Sequence, residues 1–579
     1  MSRHLPVLLL LLSFPAFVAA QDLTNAEAEA EKARDKQALE VLESIAEAIP
    51  GLRASENRIY LTSAVADLLW SKDEKRARAL FDVVTKEVIS LVTAFDQAEQ
   101  QQNDNMGMIQ QQRQEIIERM ARHDPEMAMT FLRVTRFPAE SSSGKSNQLT
   151  NDRQLELNLA GLIAAKDPAQ ALRIARASVR KGLPYGVINL IHQIDATDRS
   201  TAQALHREIV DQLKNEDLTR NHEAANSAWN LLSSYQPPQA KEETYRDLLE
   251  HLAGVVLSVT PTNSDRTSFA NNQYGYVQSM MSQMEKYAPG RVPALRQWLQ
   301  NVRPKLDQGT RIYQEINEAV QKGTVDDVVT LAGKQPAEFR AHAYQQAAWK
   351  ALSSGDANRS RQIISEFISD PAQRRQMLDQ LDNQLLWNTV QQNKIEEAHR
   401  MLGRVKNVEQ RVQLLISMAG NVASRGEKKQ ALELLGEART MLDSSPPDSR
   451  TLSAQLQLAQ SYISLDSEQG VALIESIITQ VNQLVAAAVV LDGFEHRYLR
   501  EGEWMRAAYS TLGNLINTLD QNLGQLAQRD PERARYLSTR LERLEIRLIA
   551  QLEIAQALLA KMVESPPRRI GRRYVRFNN

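Results

Sequence analysis

Apolar residues recur at three- and four-residue intervals along nearly the whole chain, which is the spacing of one face of an α-helix. One such face carries Leu80, Val84, Val88, Leu91 and Phe95. Another segment, Asp22–Ile49, is rich in Ala, Glu, Lys and Leu and stops at Pro50-Gly51, a helix-ending pair. Helices of about 12 to 18 residues separated by short polar turns suit helical hairpins. The pattern therefore predicts an all-α protein.

Composition supports this prediction and removes several kinds of site. The 579 residues include 23 Gly and 20 Pro, which leaves little room for the many turns of a β-sandwich, barrel or propeller. There is no Cys, so disulfides, thiolate zinc sites, iron–sulfur clusters and cysteine nucleophiles are excluded. Stability must come from packed helices.

Charge and side-chain spacing give no sign of nucleic acid, a metal or a cofactor. The chain has 69 basic and 71 acidic residues, a formal net charge of −2, so no overall field attracts nucleic acid. His222-Glu223 begins like a zinc-protease helix, but Asn226 stands where the second histidine is needed. The segment 139–146 fits a phosphate-loop pattern but lacks the preceding strand, which favours a linker. We expect no metal, no cofactor and no nucleic acid.

The first twenty residues have the pattern of a secretion signal. Arg3 and His4 are followed by the Leu-rich segment Leu5–Val18, and small residues end at Ala20. The alternative is a membrane anchor, but about sixteen apolar residues fall short of the roughly 20 that cross a bilayer. We therefore predict cleavage after Ala20 and a periplasmic or extracellular protein. No later apolar run approaches that length, so no transmembrane segment is expected after cleavage.

Clusters of Pro, Gly and Ser suggest boundaries along the chain. The predicted organisation is a signal peptide (1–20), an N-terminal helical region (21–137), a Ser/Gly linker (138–151), a middle helical region (152–323), helical repeats (324–490), C-terminal long helices (491–564) and a basic tail (565–579).

Internal repetition is the most specific pattern in the chain. Gly355–Ser360, Asn393–Ala398 and Gly426–Ala431 each hold a turn residue followed five positions later by a small one, with steps of 38 and 33 residues between copies. A looser copy is Asp466–Val471. Gly or Asn with a positive φ ends one helix, and the small residue lets the next helix approach closely. Each repeat is therefore a hairpin that must stack on its neighbours.

These residues resemble tetratricopeptide repeats. Gly426-Glu427 followed by Ala431 and Ala438 matches that family's glycine, acidic and two alanine positions, and Pro446 stands near its closing proline. The resemblance covers about Ala337 to Gln480. It implies antiparallel helix pairs stacked in a superhelix, an α-solenoid, whose concave face binds a peptide or protein.

Two features near the C-terminus suggest further contacts. One is a basic tail containing Arg568, Arg569, Arg572, Arg573 and Arg576. This tail is either solvated or binds an anion or an acidic partner. The other is an apolar stripe predicted to lie on one long helix: Leu537, Leu541, Leu544, Leu548, Leu552, Ala555, Leu559 and Met562. Such a helix either caps the array or forms a dimer.

The pattern favours a binding protein over an enzyme. Gly-x-Ser-x-Gly is absent, and no residue can be assigned a catalytic role. We predict an exported helical-repeat scaffold for protein–protein interaction. The alternative is an all-α extracytoplasmic carbohydrate-active enzyme, similar to a polysaccharide lyase or lytic transglycosylase, because two catalytic carboxylates need only converge in space.

Overall fold

The structure, a computed structural model, describes residues 15–96, 102–136, 145–179, 186–259, 269–443, 448–495, 498–505 and 510–560. Within these ranges α-helix predominates, and the strands are one short antiparallel pair, β1 (Leu499–Arg500) and β2 (Glu503–Trp504). The prediction of an all-α protein is confirmed. The predicted signal segment before residue 15, the first half of the predicted linker (138–144) and the basic tail lie outside the described residues.

The helices of the first half are α1 (Pro15–Ala48), α2 (Ser55–Leu69), α3 (Glu74–Asp96), α4 (Gln102–His123), α5 (Pro125–Val134), α6 (Lys145–Ala164), α7 (Pro168–Val179), α8 (Val187–Asp195), α9 (Arg199–Asn215), α10 (His222–Ser234), α11 (Glu242–Ser258), α12 (Phe269–Ser279), α13 (Met281–Tyr287) and α14 (Val292–Val302).

The helices of the second half are α15 (Gln308–Lys322), α16 (Val325–Lys334), α17 (Ala337–Ser353), α18 (Ala357–Phe367), α19 (Pro371–Gln391), α20 (Ile395–Met401), α21 (Val408–Ala423), α22 (Lys428–Asp443), α23 (Ser449–Leu465), α24 (Ser467–Glu495), α25 (Thr511–Ala527), α26 (Pro531–Thr539) and α27 (Leu544–Leu559). Short 3₁₀ turns lie at Ile49–Gly51, Pro289–Arg291, Arg303–Lys305 and Leu402–Arg404.

The chain divides into two compact units that do not follow chain order. Unit 1 comprises Met1–Leu91, Asn103–Gln112 and Trp387–Asn579, and unit 2 comprises Val92–Gln102 and Arg113–Leu386. Unit 1 therefore combines residues from both ends of the sequence, whereas the predicted regions were consecutive along it.

Unit 2 is a stack of helical hairpins. α6 packs on α7 and α8, α7 and α8 both pack on α9, and α9 packs on α10 and α11. The same order recurs later, where α17 packs on α15, α16 and α18. α6, α7, α9 and α17 thus contact their nearest and next-nearest neighbours in sequence, which is the packing of stacked antiparallel hairpins.

Unit 1 contains the same packing in α21 to α25. α21 contacts α22 and α23, and α23 contacts α24 and α25. The buried faces of these helices carry residues such as Leu415, Leu435, Leu458 and Ile474, each fully buried. The predicted tetratricopeptide-like hairpins are therefore present in both units.

The three repeat turns share one backbone conformation. Gly355, Asn393 and Gly426 have φ values of +89°, +61° and +85°. In each turn the following residue donates its N–H to the carbonyl five residues earlier, at 2.9, 3.1 and 3.3 Å. This bond defines a Schellman-type helix end, in which a residue with positive φ closes the helix.

The small residues of the repeats lie at helix contacts. Ser360, Ala398, Ala431 and Ala438 are all fully buried. The looser copy uses Gly470 for the same purpose, since a Cβ atom there would lie 2.7 Å from the backbone nitrogen of Ile463 on α23. A larger side chain at these positions would push paired helices apart.

Unit 1 joins the two ends of the chain. Val41, Leu42 and Ile45 of α1 form one core cluster with Leu548 and Leu552 of α27. α2 also contacts α27, and β2 lies against α27. The first and last described helices thus share a hydrophobic core.

The C-terminal stripe differs from the predicted single long helix, because α26 ends at Thr539 and α27 begins at Leu544. Asn482 of α24 compensates for this break: its side chain donates to the Arg540 carbonyl at 2.9 Å and accepts from the Glu542 N–H at 3.3 Å. Leu541 remains buried in the turn. The helical period of the apolar residues continues through the turn, which is why the sequence suggested one helix.

The stripe packs inside unit 1. Leu537, Leu541, Leu548, Leu552 and Ala555 are buried, whereas Leu544 is partly exposed. Met562 lies outside the described residues. Because the buried members contact other parts of the same chain, this face is already occupied.

Two other helices bear on the sequence predictions. α6 begins at Lys145, within the predicted linker, so residues 145–151 are helical. Among the described helices, Ser467–Phe494 of α24 is long and apolar enough to cross a membrane by length and composition, with a mean hydropathy of 1.5. Its residues Ile474, Ile477 and Ile478 are buried in the hairpin with α23, and 39% of the apolar window is buried in all.

Candidate functional site

One cavity of unit 1 lies between the end of α22, α23, α24 and the start of α25. Its volume is about 1190 Å³. A second cavity of about 440 Å³ adjoins it and is lined by α21, α23 and α25. The two share Ser449, Thr511 and Leu515 as lining residues. We call the two together the unit 1 groove.

One face of α24 forms a wall of the groove. Its lining residues Ser476, Gln480, Gln483, Ala487 and Leu491 follow one another at three- and four-residue steps. Residues at this spacing lie on one side of a helix. The opposite side of α24 packs on α23, so the hairpin orients this polar and apolar face towards the groove.

Amide side chains recur along the groove on four helices. They are Gln410 and Gln413 on α21, Gln455 on α23, Gln480 and Gln483 on α24, and Asn514 on α25. Asn407 also lines it, and its side chain caps α21 by accepting from the N–H of Gln410 at 2.8 Å. Most of the polar lining is therefore uncharged.

The α24 end of the groove is apolar. Leu484 is 42% exposed and Leu491 is 56% exposed, and Ala487, Leu512 and Leu515 lie around them. Beyond this edge Phe494, also on α24, is 92% exposed. Side chains of this kind rarely face water in a cluster unless they contact another molecule.

Tyr498 closes this end of the groove, and buried Asp492 holds it in place. The Asp492 carboxylate accepts hydrogen bonds from the backbone N–H groups of Tyr498 and Leu499, the latter at 3.1 Å. The Tyr498 ring stacks on Trp504, with centroids 5.8 Å apart. The short β-hairpin thus fixes Tyr498, the one aromatic residue among the described residues that line the groove.

The charged lining residues of the groove are Glu409, Asp443, Asp448 and Arg450, and two of the three acidic ones lie near an arginine. Asp443 lies 3.8 Å from Arg439, and Asp448 lies 3.7 Å from Arg450. Asp448 caps α23 by accepting from the N–H groups of Arg450 and Thr451. The hydrogen bond from the Thr451 N–H lowers the pKa of the Asp448 carboxyl, so this group is ionised at neutral pH.

Unit 2 has a smaller and more charged cavity of about 770 Å³ against α9 and α11. Three of its charged residues form ion pairs: Arg207 lies 3.6 Å from Glu243, and Asp247 lies 2.7 Å from Lys214. Among the described residues of the chain, no three His, Asp or Glu side chains are grouped to hold a metal ion.

The residues predicted from the sequence lie elsewhere. Arg568, Arg569, Arg572, Arg573 and Arg576 are outside the described residues. The repeat-turn residues Gly355, Ser360, Asn393, Ala398, Gly426, Ala431 and Ala438 form helix turns and contacts, and none lines the unit 1 groove. Gly426, Ala431 and Ala438 shape the hairpin of α21 and α22, whose residues line part of the groove, whereas Gly355 and Ser360 lie in unit 2. The groove itself was not predicted from the sequence, although Gln480 and Gln483 follow the helical spacing.

Comparison with known proteins gives no family. No protein-family model matches the chain, and no curated protein matches it. Similar solved structures include a chain of "Structure of Naa15/Naa10 bound to HypK-THB", 12% identical over 96% of this chain and 92% of that one, with a TM-score of 0.23. A chain of the homology model of the AP-3 complex is 13% identical, with coverages of 91% and 83% and a TM-score of 0.21.

A third similar structure is the crystal structure of the APC/C hetero-tetramer Cut9-Hcn1. Its chain is 12% identical, with 87% of this chain and 99% of that chain covered and a TM-score of 0.15. Because all three TM-scores are low, the evidence for the hairpin fold is the helix contacts and turn conformations of this chain itself.

Proposed function

We propose that this protein is an exported helical-repeat scaffold that binds a protein partner in the unit 1 groove. The observation that carries the proposal is the lining of the groove, where uncharged amide side chains continue into a partly exposed apolar end. Such a surface offers hydrogen bonds and apolar contact together, as protein interfaces do. Stacked hairpins supply the rigid support that a binding surface requires.

The lining of the groove suits a carbohydrate-active enzyme less well than a protein-binding scaffold. Sugar cleavage by two carboxyl groups needs a protonated acid, and the lowered pKa of Asp448 disfavours that role. Tyr498 is the one aromatic residue among the described lining residues, which gives sugar rings little to stack on. Turnover of peptidoglycan or an acidic polysaccharide that disappears in Asp443→Asn or Asp448→Asn would favour the enzyme instead.

Filling the groove tests the binding proposal. Ala487 lines the groove and Ala472 does not, yet both are exposed alanines on α24. Tagged wild type, Ala487→Trp and Ala472→Trp are used to capture proteins from an envelope extract, and bound proteins are quantified by mass spectrometry. We expect wild type and Ala472→Trp to retain the same partner and Ala487→Trp to lose it at least tenfold. Equal capture by all three, or no reproducible partner, would contradict the proposal.

Export has its own test, because it rests on residues 1–20 of the sequence. Cell fractionation followed by mass spectrometry of the intact protein should find a chain that begins at Gln21 outside the cytoplasm. A cytoplasmic chain that still begins at Met1 would show that the protein is a scaffold of another compartment.

A further inference from the structure

We propose that the C-terminal end of α24 docks on an anionic lipid bilayer and that the basic tail of the chain binds the headgroups of the same bilayer. The docking face comprises Ala486, Val490 and Phe494, and we call it the α24 tip. The inference goes beyond the proposed function, because it concerns the surface on which the scaffold is held and not the protein that it binds.

The α24 tip is an exposed apolar face beside the groove. Ala486, Val490 and Phe494 follow one another at four-residue steps, so they lie on one side of the helix. Val490 is 78% exposed, and Phe494 is the most exposed large apolar residue in the described part of the chain. None of the three lines either cavity of the groove. A partner in the groove therefore does not account for them.

This end of α24 exposes no polar side chain. From Leu484 to Phe494 the one polar residue is Asp492, which is buried, and its carboxylate accepts from the N–H groups of Tyr498 and Leu499. The outer side of a helix at the surface of a soluble protein normally carries polar and charged residues. About three turns without them suit contact with an apolar phase.

α24 can touch a bilayer without crossing it. Its length and composition would allow it to span a membrane, but Ile474, Ile477 and Ile478 pack in the hairpin with α23. A spanning α24 would have to leave that hairpin. The tip is about 12 Å long, and the apolar face of an interfacial helix enters the bilayer by about 5–10 Å. Insertion of the tip therefore leaves the packing of unit 1 intact.

The size and chemistry of the tip favour lipid over a second copy or another protein. A stable complex buries about 800 Å² on each partner, whereas a face about 12 Å long and about 10 Å wide offers roughly 120 Å². Protein interfaces also form about one hydrogen bond for each 100–200 Å², and the tip has no side-chain donor or acceptor. The acyl region of a bilayer needs neither a large matched surface nor hydrogen bonds.

The basic tail supplies a second attraction, which a small apolar contact needs for stable attachment to a membrane. Five arginines lie close together with Tyr574 and Phe577 among them: Arg568, Arg569, Arg572, Arg573 and Arg576. Such a cluster complements the negative charge of anionic headgroups. The tail follows Ala560, the last described residue, and both the tail and α24 belong to unit 1. Residues 561–579 extend up to about 60 Å, which is enough to reach a bilayer at the tip.

The first test uses the absence of Cys, because one introduced thiol can then be labelled selectively. Val490→Cys and Phe494→Cys label the tip, and Val134→Cys labels an exposed aliphatic position on α5 as a matched control. Each full chain carries a nitrobenzoxadiazole fluorophore. Vesicles contain either phosphatidylcholine alone or an equal mixture of phosphatidylcholine and phosphatidylglycerol. We expect the emission of both tip labels to rise and shift to the blue with the mixed vesicles, and that of the Val134 label to stay unchanged.

The second test measures affinity for the same vesicles by flotation. Val490→Ser/Phe494→Ser removes two apolar side chains from the tip, and Val134→Ser/Leu162→Ser removes two exposed ones from α5 and α6. We expect the tip variant to bind mixed vesicles about 100-fold more weakly, at about tenfold for each side chain, and the control to stay within twofold. All four positions are exposed, so each variant should keep its fold, which circular dichroism checks.

The tail is tested in the same assay with Arg572→Gln/Arg573→Gln. Binding to mixed vesicles should weaken about 25-fold, at about fivefold for each lost charge, and binding to phosphatidylcholine alone should stay unchanged. Added salt should weaken the binding of wild type to mixed vesicles, because it screens the attraction of the arginines.

Four results would overturn the proposal: no binding to mixed vesicles, a tip variant that binds as tightly as its control, tip labels that respond no more than the Val134 label, or an arginine variant that binds mixed vesicles as wild type does. Tip labels that are already shielded without vesicles, in a chain of doubled mass in solution, would instead identify a second copy as the occupant. Capture of a partner by the groove is tested separately with Ala487→Trp, so the scaffold function stands or falls on its own result.

Discussion

Glu503 is the residue whose replacement most directly tests how the two ends of the chain are joined. It is 5% exposed, and its carboxylate accepts from the N–H groups of Arg53 and Ala54 at 2.6 and 3.1 Å and from the Asn57 side chain at 3.3 Å. Ala54 precedes α2 and has no side chain with which to cap it. A carboxylate about 450 residues away in sequence therefore takes the place of a local cap and faces the positive end of the helix.

Glu503→Gln keeps the shape of the side chain but removes the charge and one of two acceptor oxygens. At least one buried donor of the three then lacks a partner or faces the new amide N–H group. An unpaired buried donor costs about 1–3 kcal/mol, and the lost charge weakens the bonds that remain. We expect the free energy of local opening of α2 to fall by about 2 kcal/mol, which makes the equilibrium constant for this opening about 30-fold larger.

Hydrogen–deuterium exchange of the full chain measures this opening segment by segment. Amides of α2 and α27 should exchange about 30-fold faster in Glu503→Gln, while those of α6 to α9 in unit 2 stay unchanged. The control is Glu501→Gln, at an exposed position in the turn of the same hairpin. If the two variants exchange alike, the Glu503 carboxylate does not hold α2 and the reasoning fails.

Two further predictions concern stability. His206 is fully buried, and burial lowers its pKa to about 4, whereas in the unfolded chain its pKa keeps an ordinary value near 6.5. As pH falls from 6.5 to 4, the unfolded state therefore binds a proton before the folded state does. The free energy of unfolding should decrease by up to about 3 kcal/mol over this range. Thermal melts at pH 7 and pH 4.5 should show a smaller drop in His206→Phe than in wild type; equal drops would refute this role. Gly426→Ala should reduce the stability of the fold by about 1 kcal/mol because the φ of Gly426 is +85°. Gly436→Ala should leave stability unchanged or increase it, because Gly436 lies within α22 and no atom is within 4 Å of the added methyl group. Urea midpoints that move in the same direction by similar amounts would contradict the assignment of the turn.

Helix ends and buried helix faces could be predicted from the sequence because residues close in the chain determine them. Gly355, Asn393 and Gly426 each end a helix at the expected residue, since a positive φ suits Gly and Asn and disfavours most other residues. The helical period also identified the buried face of the C-terminal stripe. The same period concealed the turn between Thr539 and Leu544, because Asn482, far away in sequence, pairs with the backbone there.

The long-range parts could not be predicted from one sequence. Nothing near Glu503 indicates that it caps a helix that begins at Ser55, and the pairing of α1 with α27 depends on how the intervening helices stack. The groove has the same origin, since Gln413, Gln455, Gln480 and Asn514 stand on four different helices. In the sequence each looks like an ordinary polar surface residue, and only the stacking of the hairpins brings them into the lining of two adjoining cavities.

The central claim is that a protein partner binds in the unit 1 groove, and hydrogen–deuterium exchange of the full chain with and without a saturating amount of the captured partner tests it most directly. The account predicts slower exchange in α21, α23, α24 and the start of α25, with α9 and α11 of unit 2 unchanged. Protection confined to α9 and α11, or no protection by a partner that demonstrably binds, would contradict it.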